Sequence, residues 1–256
     1  IEKGNIYELE LADSKINLNR GKKETKIESL LRTNGKFNFS QIKKISFLLG
    51  HNINSLKDIN GIADLKTRVN FYLDEKFKVK NLSYSTEGNI DYFEIYTEEN
   101  KIIKKYLPEY DPKIILKDTN IKIINSKSEQ IAELNGFIKT KEHFDSFKMN
   151  GIYNYNNKIF NINGIADLTN SKIKISRLNY YKDHGKKSEI NFDINFLLNK
   201  YYNINNLNFS ADKTKINLTN IKFNNNFEIK DFKKLEIKTF VNEIKNNDFF
   251  VKKLEK

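Results

Sequence analysis

The chain has 256 residues, a net charge of +12 and no cysteine. That length fits one large all-β domain or two ordinary ones, and the missing thiols exclude disulfides, thiolate nucleophiles and cysteine-based zinc sites. No apolar run approaches the roughly 18 to 20 residues a membrane-crossing helix needs. No signal peptide is visible, and the chain opens on Ile1, so it reads as a piece of a longer protein. The positive charge invites a nucleic-acid reading, but the basic residues are spread along the whole chain with no arginine-rich block. Lys, Asn, Ile, Phe and Tyr dominate, and all have A/T-rich codons, so an AT-rich genome accounts for the surface lysines. A weak, salt-sensitive attraction to anionic lipid headgroups also fits this charge.

In chain order, the first element is a strand: Tyr7, Leu9 and Leu11 alternate with Glu8 and Glu10, the pattern of a sheet with one apolar face. Ser40 is placed to cap a short helix reaching Leu49, with Ile42, Ile45, Leu48 and Leu49 on one side and Gly50 ending it. Alternation returns at Val69, Phe71 and Leu73. Asn100 is placed to cap a second helix, with Ile102, Ile103, Tyr106 and Leu107 inward and Pro108 stopping it. The only prolines, Pro108 and Pro112, mark the expected break between residues 1–110 and 111–256. From residue 145 to 240 alternation resumes so often that helices find little room, as at Ile190, Phe192, Ile194 and Phe196. Phe240 to Leu254 reads equally as a helix or as two strands. Turn chemistry falls at Asp74-Glu75, Glu87-Gly88-Asn89, Asn135-Gly136, Asn150-Gly151, Asn156-Asn157, His184-Gly185 and Asn224 to Asn226.

One pattern recurs: apolar-x-apolar-x-x-apolar-x-apolar. It appears as Phe77, Val79, Leu82, Tyr84; as Ile173, Ile175, Leu178, Tyr180; as Tyr202, Ile204, Leu207, Phe209; and as Ile216, Leu218, Ile221, Phe223. A regular strand would turn its second half inside out at the slip. One extra residue, a β-bulge, keeps both halves on one face and bends the strand. The alternative is two short strands joined by a two-residue turn, although such turns favour glycine and none of the four centres has one. Several strands bent at similar places make a curved sheet with an apolar concave side, and these sixteen residues are its expected lining.

The stretch INGIADL runs from Ile59 to Leu65 and again from Ile162 to Leu168. It is either a catalytic loop used twice or the trace of a duplicated structural unit. A paired acid site needs two carboxylates held together in a pocket. Asp64 and Asp167 instead each sit between Ala and Leu, so the motif reads as a turn at Asn-Gly leading into a strand, the same in both copies. His51, His143 and His184 are isolated in sequence, and the KEHFD stretch around His143 lacks the HExxH order. No Walker A, GxGxxG or GxSxG run occurs. The expectation is a non-enzyme without cofactor or metal.

The pieces NGIADL, FKVKNLSYS, YNINNLNFS, KIILKDTNIKI and the closing IKTFVNEIKNNDFFVKK resemble the AsmA-like superfamily of bacterial envelope proteins over most of the chain. The resemblance implies an all-β chain with a few short helices: a long curved antiparallel sheet forming an open, β-taco-like hydrophobic groove. It also implies phospholipid acyl chains as cargo between inner and outer membranes. The setting would be the periplasm, with an inner-membrane anchor outside this piece, and nucleic acid is not an expected partner. A repeat scaffold or surface interaction domain without lipid is the main alternative, and a membrane β-barrel is a third reading that charged outer faces disfavour.

Overall fold

The computed structural model describes residues 2–6, 9–48, 56–97, 99, 111–139, 143–198, 200–241 and 244–253. The described residues are nearly all β: their strands are antiparallel, and among these residues the curved sheet does not close into a barrel. Two compact units form. The first holds residues 1–98, 113–136 and 154–156; the second holds 99–112, 137–153 and 157–256. The first unit therefore continues past Pro112. The helix expected from Asn100, together with Tyr7, Leu49, Gly50, His51 and Pro108, lies outside the described residues.

The first unit comprises β1 (Lys3–Ile6), β2 (Leu9–Ala12), β3 (Lys15–Arg20), β4 (Glu24–Asn38), α1 (Phe39–Leu48), β5 (Leu56–Asp74), β6 (Val79–Thr97), β7 (Lys113–Asn125) and most of β8 (Glu129–Lys139). The strand order β1-β2-β4-β5-β6-β7 nearly follows the sequence, with β3 also pairing β4. Cross-strand partners share a face, so the register gives the apolar face directly. Gly35, Ala63, Ile90 and Thr119 form one row, and Phe37, Gly61, Phe93 and Leu116 form the next. Burial concentrates here, at Ile59, Ala63, Ile90, Leu116 and Thr119. Helix α1 leaves β4 at this end and packs on β4 and β5. Asn38, not Ser40, caps it. The Asn38 Oδ1 accepts the Gln41 N–H at 3.2 Å and the Gln41 Oε1 accepts the Asn38 N–H at 2.8 Å, a reciprocal capping box.

The second unit comprises β9 (Phe144–Asn154), β10 (Phe160–Asp167), β11 (Ile173–Ile175), a 3₁₀ turn (Ser176–Leu178), β12 (Tyr180–Lys182), β13 (Ser188–Leu197), β14 (Tyr201–Ala211), β15 (Thr214–Asn224), β16 (Ile229–Asp231), β17 (Lys234–Val241) and β18 (Ile244–Lys252). Its sheet runs β9-β10-β13-β14-β15-β17-β18, with β16 beside β15; β11 and β12 pair only with each other. The ambiguous C-terminus is thus the end of β17 and β18, both extended.

The slipped patterns resolve in two ways. Asn81 in β6 and Asn220 in β15 adopt positive φ, 52° and 50°. At Asn70/Tyr72 against β6, and at Asp193/Ile194 against β14, the register shifts. These are bulges, and they keep Val79, Leu82 and Tyr84, or Ile204, Leu207 and Phe209, on one face. A bulge missed in the sequence sits at Asp91 in β6, beside Asp118 in β7, where φ is 45°. Neighbouring strands slip in step: β6 with β7 and β14 with β15 keep constant register, and the shift appears against β5 and β13. The fourth pattern is no bulge. It belongs to two three-residue strands, Ile173–Ile175 and Tyr180–Lys182, joined by the 3₁₀ turn, with Asn179 at φ 45°.

Several turn signals fail. Asn60-Gly61, Glu87-Gly88-Asn89, Asn135-Gly136, Asn150-Gly151 and Asn163-Gly164 all lie inside strands. Both INGIADL copies are therefore extended and alike, but neither begins with a turn. Ile, Gly and Ala face the apolar side in each, and an aromatic ring from the adjacent strand covers the glycine. A Cβ on Gly61 would stand 2.4 Å from the Phe37 ring, and one on Gly164 would stand 2.9 Å from the Phe192 ring. Phe37 and Phe192 are the direct cross-strand partners of these glycines. The repeat is thus a glycine floor under a cross-strand ring, a known device for pinning sheet register.

Candidate functional site

The apolar face of the second unit is built row by row. The outermost row is aromatic: Tyr153, Phe160, Phe196 and Tyr202 are successive cross-strand partners, with Phe223 after them. Their rings stack at centroid distances of 4.2 Å, 4.9 Å and 5.8 Å, and Phe227 from the turn after β15 continues the stack on Tyr202 at 4.5 Å. All are half-buried. Because each ring spends its faces on its neighbours, the row offers edges to whatever lies over the sheet. Ile162, Ile194, Ile204 and Ile221 form the next row, and Phe192, Leu207, Leu218 and Leu235 a third.

Beyond that the face is covered. The segment from Leu168 to Lys187 leaves β10, forms the β11–β12 pair and returns to β13. Its Leu168, Ile173, Ile175 and Leu178 pack against a core of Tyr180, Phe209, Ala211 and Ile216, and the Tyr180 ring meets Phe209 edge-on at 6.1 Å. Ile173, Ile175, Leu178 and Tyr180 therefore do not line the sheet as strand residues; they lie on it as a cover. Their strands pair only with each other, so none of the four extends the ladder.

Polar bonds hold this cover. Asp145, which is 2% exposed, accepts the Asn170 N–H at 2.8 Å and the Ser171 hydroxyl at 2.5 Å. The Lys182 ammonium, 3% exposed, donates to the carbonyls of Thr169, Asp183 and Lys186 at 3.1 to 3.2 Å. Burial pushes its pKa down, against the pull of Asp145 and Asp167. Its three protons are committed, so it holds the loop and has no lone pair to offer as a nucleophile. Asn246 and Asn247 of β18 donate to the Leu178 carbonyl at 2.8 and 2.6 Å. His143 and His184, isolated in sequence, stack here with centroids 4.6 Å apart. Among the described residues, no three His, Cys, Asp or Glu side chains gather where a metal ion could sit.

The first unit differs at the end of its face remote from α1. Val79 and Phe77 lie beside the β5–β6 turn, with Phe77 82% exposed, so Phe77 lines no groove. Tyr84 faces inward but accepts a hydrogen bond from the Gln130 amide at 2.9 Å. The Tyr155 hydroxyl donates to the Asn125 side chain. Burial and the neighbouring Tyr155 push the Tyr84 pKa up to about 12. This face is crossed by a polar belt and is less suited to an aliphatic ligand than that of the second unit.

Of the sixteen residues expected to line one face, Tyr202, Ile204, Leu207, Phe209, Ile216, Leu218, Ile221 and Phe223 share the sheet face of the second unit. Phe209, Ile216 and Ile221 are already buried. The aromatic row escaped the sequence reading because its members lie on separate strands: Phe160 starts β10, Phe196 and Phe223 lie near the ends of β13 and β15, and Tyr202 lies near the start of β14. Comparison with known protein families, with characterised proteins and with solved structures finds no match to this chain.

Proposed function

We propose that this chain is a non-enzymatic lipid-handling segment whose second unit lays phospholipid acyl tails along its apolar face. The transfer would run between membranes of a bacterial envelope, in the periplasm. The envelope setting rests on the resemblance of the sequence pieces to AsmA-like proteins. The observation that carries the acyl reading is the pair of rows from Tyr153 to Phe227 and from Ile162 to Ile204, which lie outside the core under the cover; the second row closes at Ile221, which is buried. A filled core would bury these rows completely; instead Phe160, Phe196, Tyr202 and Ile204 are only half-buried. Large uncovered apolar strips on a protein surface mark ligand or partner sites.

The experiment is co-purification and crosslinking. Native mass spectrometry of the chain should find bound phospholipid. A photoreactive residue at Ile204 should give phospholipid adducts, and one at the wet-face positions Asn203 or Lys215 should not. Ile204→Asp puts a charge in the trough; water reaches it from the open side, so folding survives and uptake falls. Adducts at Asn203 with none at Ile204 would overturn the reading. The scaffold alternative draws on the cover itself, since half of the face already has a protein partner. A chain that carries no lipid and gives no adducts would decide for it.

A further inference from the structure

We infer that the segment from Leu168 to Lys187 is a fixed stop that sets the length of acyl tail the second unit accepts. The inference rests on the acyl reading above and deepens it. The face is only half-buried along its aromatic end and is closed where Tyr180 meets Phe209 and where Leu178 and Leu207 both pack against that core. A tail laid along β14 from the Tyr202 row meets the cover at the Leu207 row. With Asn205 taken up by the bulge, that run is four strand steps, roughly 13 Å at about 3.3 Å each. This is close to the roughly 15 Å of hydrocarbon in one bilayer leaflet. A tail of that length fills the open stretch, and a longer one meets the side chains of Ile175 and Leu178.

The stop is anchored from several directions, so a tail cannot sweep it aside by displacing apolar contacts alone. Asp145 on β9 holds its start, at Asn170 and Ser171. Lys182 braces the segment from within, joining its return limb to the carbonyls of Thr169, Asp183 and Lys186. Asn246 and Asn247 on β18 hold its tip at Leu178. Opening it would break the bonds to Asp145 on β9 and to Asn246 and Asn247 on β18, and would uncover Phe209 and Ile216. The second unit therefore behaves as a blind trough loaded from the aromatic end. A lipid leaves by the way it entered.

The test offers the chain an equimolar mixture of saturated phosphatidylglycerols graded in tail length and reads the bound species by native mass spectrometry. Retention should rise with length and then stop rising. In Leu178→Ala the limit should move to longer tails, each further methylene admitted being worth about fourfold in affinity. Should that variant not fold, the unmodified chain decides the matter. A lipid with a diazirine at its terminal carbon should label Leu178, Ile175 or Leu207, and one with the diazirine beside the headgroup should label Tyr202 or Phe227. No uptake at any length overturns the acyl reading itself. Uptake with an unchanged length profile in folded Leu178→Ala, or terminal-carbon adducts confined to the aromatic row, overturns the stop and leaves the acyl reading standing.

Discussion

At the residue scale the two INGIADL copies differ in what surrounds their glycines, and the difference fixes a prediction. The three atoms nearest a methyl at Gly61 all belong to the Phe37 ring, which can swing at the cost of its contact with Phe93 at 5.9 Å. A methyl at Gly164 meets the Lys148 carbonyl oxygen at 2.6 Å as well as the Phe192 ring, and a backbone carbonyl cannot rotate away without moving β9. Gly164→Ala should therefore lose more stability, about 1 to 3 kcal/mol. Gly61→Ala should lose less, because alanine's lower entropy in the unfolded chain offsets about 0.4 to 1 kcal/mol. Urea midpoints of the two variants check the order. Tyr84 gives a second test. Its folded pKa is pushed up to about 12 from an ordinary 10.0. The folded state then holds a proton that the unfolded state gives up, so the contribution of Tyr84 is complete below pH 10 and fades as pH rises toward 12. Tyr84→Phe cannot ionise, so its unfolding free energy should fall less across that window than that of the unmodified chain.

At the scale of elements, two turns are near copies. After β5, the Asp74 Oδ1 accepts N–H bonds from Lys76 and Lys78, both at 2.9 Å. After β15, the Asn224 Oδ1 accepts from Asn226 and Glu228, both at 3.0 Å. In each the fourth residue is a phenylalanine with φ of 58°, Phe77 or Phe227. A left-handed conformation costs a residue with a Cβ about 1 to 2 kcal/mol. Phe77 is almost fully exposed and recovers little of that, whereas Phe227 stacks on Tyr202, worth about 0.5 to 1.5 kcal/mol beyond its burial. Phe77→Gly should raise the melting temperature, and Phe227→Gly should leave it unchanged or lower it. An equal rise in both would mean the Tyr202 stack contributes nothing. These elements also mark what the sequence made legible. Alternation and its one-residue slips gave the strands and three bulges, because side chains on a strand repeat every two residues whatever the sheet does. The Asn-Gly pairs misled, because a glycine serves a close approach inside a strand as well as it serves a turn. The cover at Leu168 to Lys187 was illegible for another reason: Ile173, Ile175, Leu178 and Tyr180 have strand spacing, and only the neighbours they pack against separate a cover from a strand.

For the molecule as a whole, the net charge of +12 and the apolar face of the second unit call for different responses to salt. The basic side chains are scattered, and many are tied in exposed pairs such as Lys66 with Glu87 and Lys245 with Asp248. Such pairs add little to stability, but the summed charge still draws the chain toward an anionic surface. That attraction acts over a Debye length of about 10 Å at 0.1 M salt and about 3 Å at 1 M. A tail lying along Ile194, Ile204 and Phe196 is held instead by removal of apolar surface from water, which added salt does not screen. Lipid uptake from phosphatidylglycerol vesicles should therefore slow as salt is raised, while the amount retained after loading and transfer to high salt should not fall. Uptake from neutral phosphatidylcholine vesicles should be slower at low salt and nearly insensitive to it. A fluorescent phospholipid followed in time gives the rate, and gel filtration in high salt followed by extraction gives the retained amount. Bound lipid lost on raising salt would mean the headgroup alone is held by surface lysines, and the apolar rows would then need another occupant.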